Sequence, residues 1–146
     1  MRITEITRVV NPDRSIIPGD ALKATGFQVC AENNMVRAIP RGEGLGKIKI
    51  TFFTLDEFLS NDQLERAYRR RGTKPDPYAQ ITANQKTGFG RMYPNGTHWK
   101  NKRGVWRSLY FTEYPGEYPR VTVIGPHGWA PGWWFGEVLD IGHCAL

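Results

Sequence analysis

Eleven of the chain's twenty Lys and Arg residues fall between Arg66 and Arg107, in company with a single acid, Asp76. That middle segment has a local balance of +10, while the remainder, with nine basic and thirteen acidic residues, is mildly acidic. Cations gathered so unevenly need an anionic partner or open water to face, and nucleic-acid phosphate is the commonest such partner for a small protein. Arg66, Arg69 and Arg70 close a helical pattern, Lys100, Lys102 and Arg103 sit on a turn, and Arg107 follows it. Trp99 and Trp106 bracket the same turn. Cations hold a phosphate backbone in place, and aromatic faces stack on unpaired bases at about 1–3 kcal/mol per base. These nine residues are the candidate nucleic-acid contacts. The competing reading makes the arginines a solvated helix face that complements the C-terminal dipole and the tryptophans the core of a strand-rich domain.

Other chemistries have less to work with. His98, His127, His143 and Cys144 are the softer metal ligands, but no two have a zinc-type spacing, so neither a metal site nor a cofactor is expected. Gly42, Gly44 and Gly46 are followed by a strand pattern and no Gly-Lys-Ser/Thr, which reads as turns and not as a phosphate loop. No Gly-x-Ser-x-Gly is present, Cys30 has no base near it in sequence, and no catalytic residue is assigned. Asp56, Glu57, Asp62 and Glu65 suit the N-terminal ends of helices. A metal-dependent nuclease would need acids such as Glu113, Glu117 or Glu137 to fold back toward the cations. Trp133-Trp134-Phe135 in a strand points Trp134 away from its neighbours, which makes Trp134 a candidate for contact with a protein partner, since aromatics are enriched in interface hot spots.

Alternation in Lys47–Phe53 gives the best strand of the chain. Met1–Val10, Ala21–Cys30 and Met35–Pro40 are weaker strand candidates. Two capping boxes follow, Thr54 with Glu57 and Ser60 with Gln63, each flanked by apolar residues. Their apolar stripes are about 180° apart on a straight helix, so the expectation is a short helix, a break at Ser60 and Asn61, and a second helix ending at Gly72. Lys74–Pro77 starts an extended segment. Twelve of the eighteen aromatics lie between Phe89 and Phe135, among turn signals such as Pro94-Asn95-Gly96 and Lys102-Arg103-Gly104. Val105–Thr112, Arg120–Ile124 and Trp133–Ile141 between these signals read as an antiparallel meander.

The whole is expected to be one α+β domain over residues 1–146: a mostly antiparallel sheet or small open barrel with one broken helical segment. At 40% hydrophobic and 23% charged residues the composition is that of a folded protein. No apolar run is long enough to span a bilayer, and MRITEITRVV has no signal-peptide pattern, so a cytoplasmic location is expected. Cys30 and Cys144 fit incidental thiols or a single disulfide.

Tyr68-Arg69-Arg70-Arg71-Gly72, Asn95-Gly96-Thr97-His98-Trp99-Lys100 and Gly132-Trp133-Trp134-Phe135-Gly136 resemble segments of small uncharacterised proteins of phages and prophages. The resemblance runs from about Phe53 onward. It implies an accessory protein of a mobile element, working in the host cytoplasm on nucleic acid or against a host nucleoprotein machine, and it implies no catalytic residue. Two function classes therefore lead: a non-catalytic nucleic-acid-binding protein, or a protein-binding inhibitor or adaptor of anti-CRISPR or anti-restriction type. The nuclease is the third.

Overall fold

The computed structural model describes residues 4–86 and 88–140. His143, Cys144 and any pairing of Cys144 with Cys30 lie outside the described residues. The strands are β1 (Glu5–Val10), β2 (Gln28–Ala31), β3 (Ile48–Thr54), β4 (Thr73–Lys74), β5 (Asn95–Lys100), β6 (Trp106–Thr112), β7 (Arg120–Ile124) and β8 (Trp134–Leu139). The helices are α1 (Pro18–Lys23), α2 (Asn33–Arg37), α3 (Asn61–Arg70), α4 (Pro77–Lys86) and α5 (Phe89–Met92). Seven strands form one open sheet in the order β1-β3-β8-β5-β6-β7-β2, and β4 pairs with the end of β8. Most pairings are antiparallel, and the parallel ones are β5 with β8 and β2 with β7. This is an α+β fold whose sheet does not close into a barrel. Among the described residues no helix is long and apolar enough to cross a membrane.

Alternation along the strands sends side chains to two cores. On one face, Ile50, Phe52, Trp134 and Val138 pack with Ala79, Ala83 and Phe89 of α4 and α5. Leu109, Phe111, Val121 and Val123 continue that face against α1, α2 and the Tyr78 and Ile81 side of α4. On the other face, Phe53 and Phe135 meet Leu64 and Tyr68 of α3 and Trp129 of the connection after β7.

The Ser60–Gln63 capping box forms as read: the Ser60 hydroxyl accepts from the Gln63 N–H, and the Gln63 side chain accepts from the Ser60 N–H. Gly72, at φ +67°, ends the helix as expected. The first half of the expected helical pair does not form. Thr54 is the last residue of β3, and its hydroxyl donates to the Trp133 carbonyl instead of capping a helix. Leu59 is drawn into a two-way backbone bridge with Trp129.

Other expectations are corrected in the same way. Ala21–Cys30 holds the end of α1 and then β2, because Pro18 at the first helical turn starts a helix there. Residues 35–37 belong to α2 and not to a strand. Pro94-Asn95-Gly96 leads into β5 and is not a turn. The segment after Pro77 is α4, which is buried on nearly every side from Tyr78 to Asn84.

Candidate nucleic-acid interface

α3 lies over the β5–β6 hairpin, and Asn61, at its first turn, is the junction between them. Its Oδ1 accepts from Trp129 Nε1 at 3.0 Å and from His98 Nδ1 at 2.9 Å, while its Nδ2 donates to the His127 carbonyl at 3.2 Å. An indole N–H only donates, so the amide oxygen must face it. That in turn fixes His98 as the donor at Nδ1. The other ring nitrogen, Nε2, is 3.3 Å from Glu65 Oε1. Burial pushes the His98 imidazole below its ordinary range, against the pull of Glu65. The His98 contact holds the Glu65 carboxyl below its usual value. Burial dominates for a ring with no exposed surface, so His98 is neutral near pH 7 and its contact with Glu65 strengthens only on protonation.

Trp106 is stacked on His98, with ring centroids 4.2 Å apart and planes 19° apart. Its Nε1 donates to Asp62 Oδ1 at 3.0 Å. The Lys100 ammonium lies 4.9 Å from the Trp106 ring centre, a cation–π contact. Glu65, Arg69, His98, Lys100 and Trp106 thereby line one depression of about 260 Å³ between helix and hairpin. The hairpin tip is held from inside: Asn101 Oδ1 accepts from the Arg103 and Val105 N–H groups, and Gly104 takes φ +76°. Lys102 and Arg103 project from that tip and are exposed.

Of the expected contacts, Arg69, Lys100 and Trp106 line this depression together. Arg66, Arg69 and Arg70 are exposed on α3, and Lys100, Lys102 and Arg103 are exposed on the hairpin. Of these six, only Arg69 has an ion pair with a described residue, at 3.5 Å to Glu65 across one helical turn, a contact worth about 0.3–0.5 kcal/mol.

Three of the expected residues are placed differently from the others. Trp99 is 7% exposed, with its ring packed in the core beneath α1, α2 and α4, and it reaches the depression only as part of its lining. Arg107 is opposite Trp99 across the hairpin, on the sheet face turned away from α3, and its guanidinium donates to the Trp106 carbonyl. Trp134 is 8% exposed and packs edge-on against Phe89, with Tyr93 beside it, so the domain itself covers the ring proposed for a partner.

The acids are committed as well. Glu137 takes Arg71 in a paired contact at 2.6–2.9 Å, and Glu113 and Glu117 pair with Arg91 and Arg120. Asp76 holds Arg14 through both carboxylate oxygens, at 2.8 and 2.9 Å. Among the described residues no three His, Cys, Asp or Glu side chains converge to hold a metal ion.

Sequence reasoning missed Asn61, whose two indole- and imidazole-bearing partners are distant in the chain, and Phe58. The latter is 77% exposed because the helix it was to staple is absent. A Cβ on Gly96 would overlap the Trp129 ring. No protein-family model, no curated protein and no solved structure matches the chain.

Proposed function

We propose that this protein is a small non-catalytic nucleic-acid-binding protein, an accessory of a phage or other mobile element acting in the host cytoplasm. Its contact surface is the face built by α3 and the β5–β6 hairpin. The observation that carries this reading is that Arg66, Arg70, Lys100, Lys102 and Arg103 are exposed on α3 and on the β5–β6 hairpin, two elements joined through Asn61 and His98, without an ion-pair partner among the described residues. The basic middle of the chain is thus sorted by folding. Arg71 and Arg91 are committed to Glu137, Glu5 and Glu113, and the uncommitted cations gather where a polyanion can meet several at once. The origin in a mobile element rests on the resemblance alone.

A polyanion that meets five uncommitted cations releases up to five counterions, so affinity for a duplex would fall with a log–log salt slope of about −4.5. Fluorescence anisotropy with labelled DNA and RNA across a salt series tests this. The expected result is salt-steep binding, weakened by the pair Lys102→Ala/Arg103→Ala with the slope reduced by about 2. Absence of binding to every nucleic acid at about 100 mM salt would overturn the reading.

One observation favours the second reading, a protein-binding inhibitor or adaptor. Phe58 is exposed beside a shallow depression lined by Leu59, Trp129 and Ala130, an apolar patch with an aromatic anchor of the kind partners use. Its signature is salt-tolerant binding to one host protein that Phe58→Ala abolishes.

A further inference from the structure

We infer that the nucleic acid held by this face is a duplex, gripped by its backbone, and not a single strand; the inference rests on the function proposed above. Single-strand sites depend on aromatic faces stacked against successive bases, and this face has none to spare. Trp99 is in the core. Trp106 has His98 stacked on it, the Lys100 ammonium over its ring, and its N–H engaged by Asp62. Among the described residues the rings more than half exposed are Phe58, Tyr114 and Tyr118, none of them on α3 or the β5–β6 hairpin. Phe58 follows Glu57, whose carboxylate repels phosphate. Tyr114 and Tyr118 lie beyond the far end of β6, which at about 3.4 Å per residue is some 20 Å from the hairpin tip.

The cations come from two elements, Arg66, Arg69 and Arg70 from α3 and Lys100, Lys102 and Arg103 from the hairpin, and a duplex offers a strand to each. Between them the depression has the carboxylate of Glu65 in its lining, with Asp62 beside it on Trp106. A single strand drawn through that depression would bring phosphates against the Glu65 carboxylate, which competes for Arg69 at 3.5 Å. A duplex groove placed there has no phosphate at its centre and a phosphate row on each side, so each strand meets cations and the Glu65 carboxylate faces base edges, whose amino groups are donors. A duplex also presents one charge per 1.7 Å of axis, twice the density of one strand.

The test is competition anisotropy at one salt concentration with a 20-base-pair DNA duplex, its isolated strand and an RNA duplex, on the intact protein and on Lys100→Gln. The expected result is at least tenfold tighter binding of a duplex than of the single strand, with Lys100→Gln weakening the duplex. If stacking were the mode, Lys100→Gln would uncover the Trp106 ring and strengthen single-strand binding. Equal or preferential binding of the single strand overturns this inference and leaves the nucleic-acid function standing. Binding of none of the three overturns the proposed function beneath it.

Discussion

Replacing Asn61 with Ala removes one side chain and strands two buried donors. Asn61 is 6% exposed, and its oxygen accepts from both Trp129 Nε1 and His98 Nδ1, at 3.0 and 2.9 Å. The indole is 1% exposed and the imidazole fully buried, so water cannot replace the lost acceptor without the site opening. Leaving a buried donor unsatisfied costs about 1–3 kcal/mol. Two such donors, discounted because His98 can shift its proton to Nε2 and donate to Glu65, give about 2–4 kcal/mol for Asn61→Ala. Urea unfolding followed by tryptophan fluorescence measures this as a shift in midpoint at unchanged slope. Asn61→Asp keeps the acceptor for both donors but turns a carboxylate oxygen toward the His127 carbonyl, so it loses stability too, though less than Asn61→Ala. A loss below about 1 kcal/mol for Asn61→Ala, or an equal loss for the two variants, would refute the claim that this amide pins α3 to the hairpin.

The remaining predictions concern titration and packing. His98 is held neutral by burial, so the unfolded chain binds a proton that the folded chain resists, and stability is highest above about pH 6.5 and falls as pH drops through that value. His127, also pushed down by burial, acts in the same sense. His98→Asn keeps a donor for Asn61 and removes the titration, so chemical denaturation at pH 7.5 and 5.5 should show a smaller difference for this variant; an unchanged difference would refute the assignment. Gly96→Ala drives a methyl group into Trp129 and should cost about 1–3 kcal/mol in the same assay, where a neutral result would contradict the packing. Trp134→Ala should behave as a core deletion, losing about 3–5 kcal/mol of stability; a stable variant that had lost a protein partner would instead return Trp134 to the surface role.

How much was legible follows from which interactions are local. The second half of the broken helix was readable because the Ser60–Gln63 box and Gly72 are short-range devices that the fold leaves in place. The equally good Thr54–Glu57 pattern failed because the Thr54 hydroxyl reaches the Trp133 carbonyl, 79 residues away, which no local rule sees. β3, β6, β7 and β8 were visible as apolar runs between turns.

α4 was not visible, and its surroundings explain why. Tyr78 and Ile81 face one core, Ala79 and Ala83 face another, and Gln80 and Asn84 both donate to Asn95 Oδ1 while Asn84 also donates to the Gln80 carbonyl. A helix buried all round has no polar face to give it a 3.6-residue period.

The site was legible in its cations and not in their pairing. Counting could not separate Arg71, taken by Glu137 from the other end of the chain, from Arg70, which has no such partner among the described residues. Likewise Trp99 and Trp106 look equivalent in sequence. Strand alternation puts Trp99 into the core and Trp106 under α3.

The central claim is that the cations of α3 and the β5–β6 hairpin form one surface for a polyanion. The measurement that tests it most directly is the salt dependence of duplex binding for the intact protein, for Arg66→Ala/Arg70→Ala and for Lys102→Ala/Arg103→Ala. One surface predicts that each pair lowers the slope by about 2 and that both weaken the same complex. Binding that is insensitive to salt, or to either pair, would contradict it.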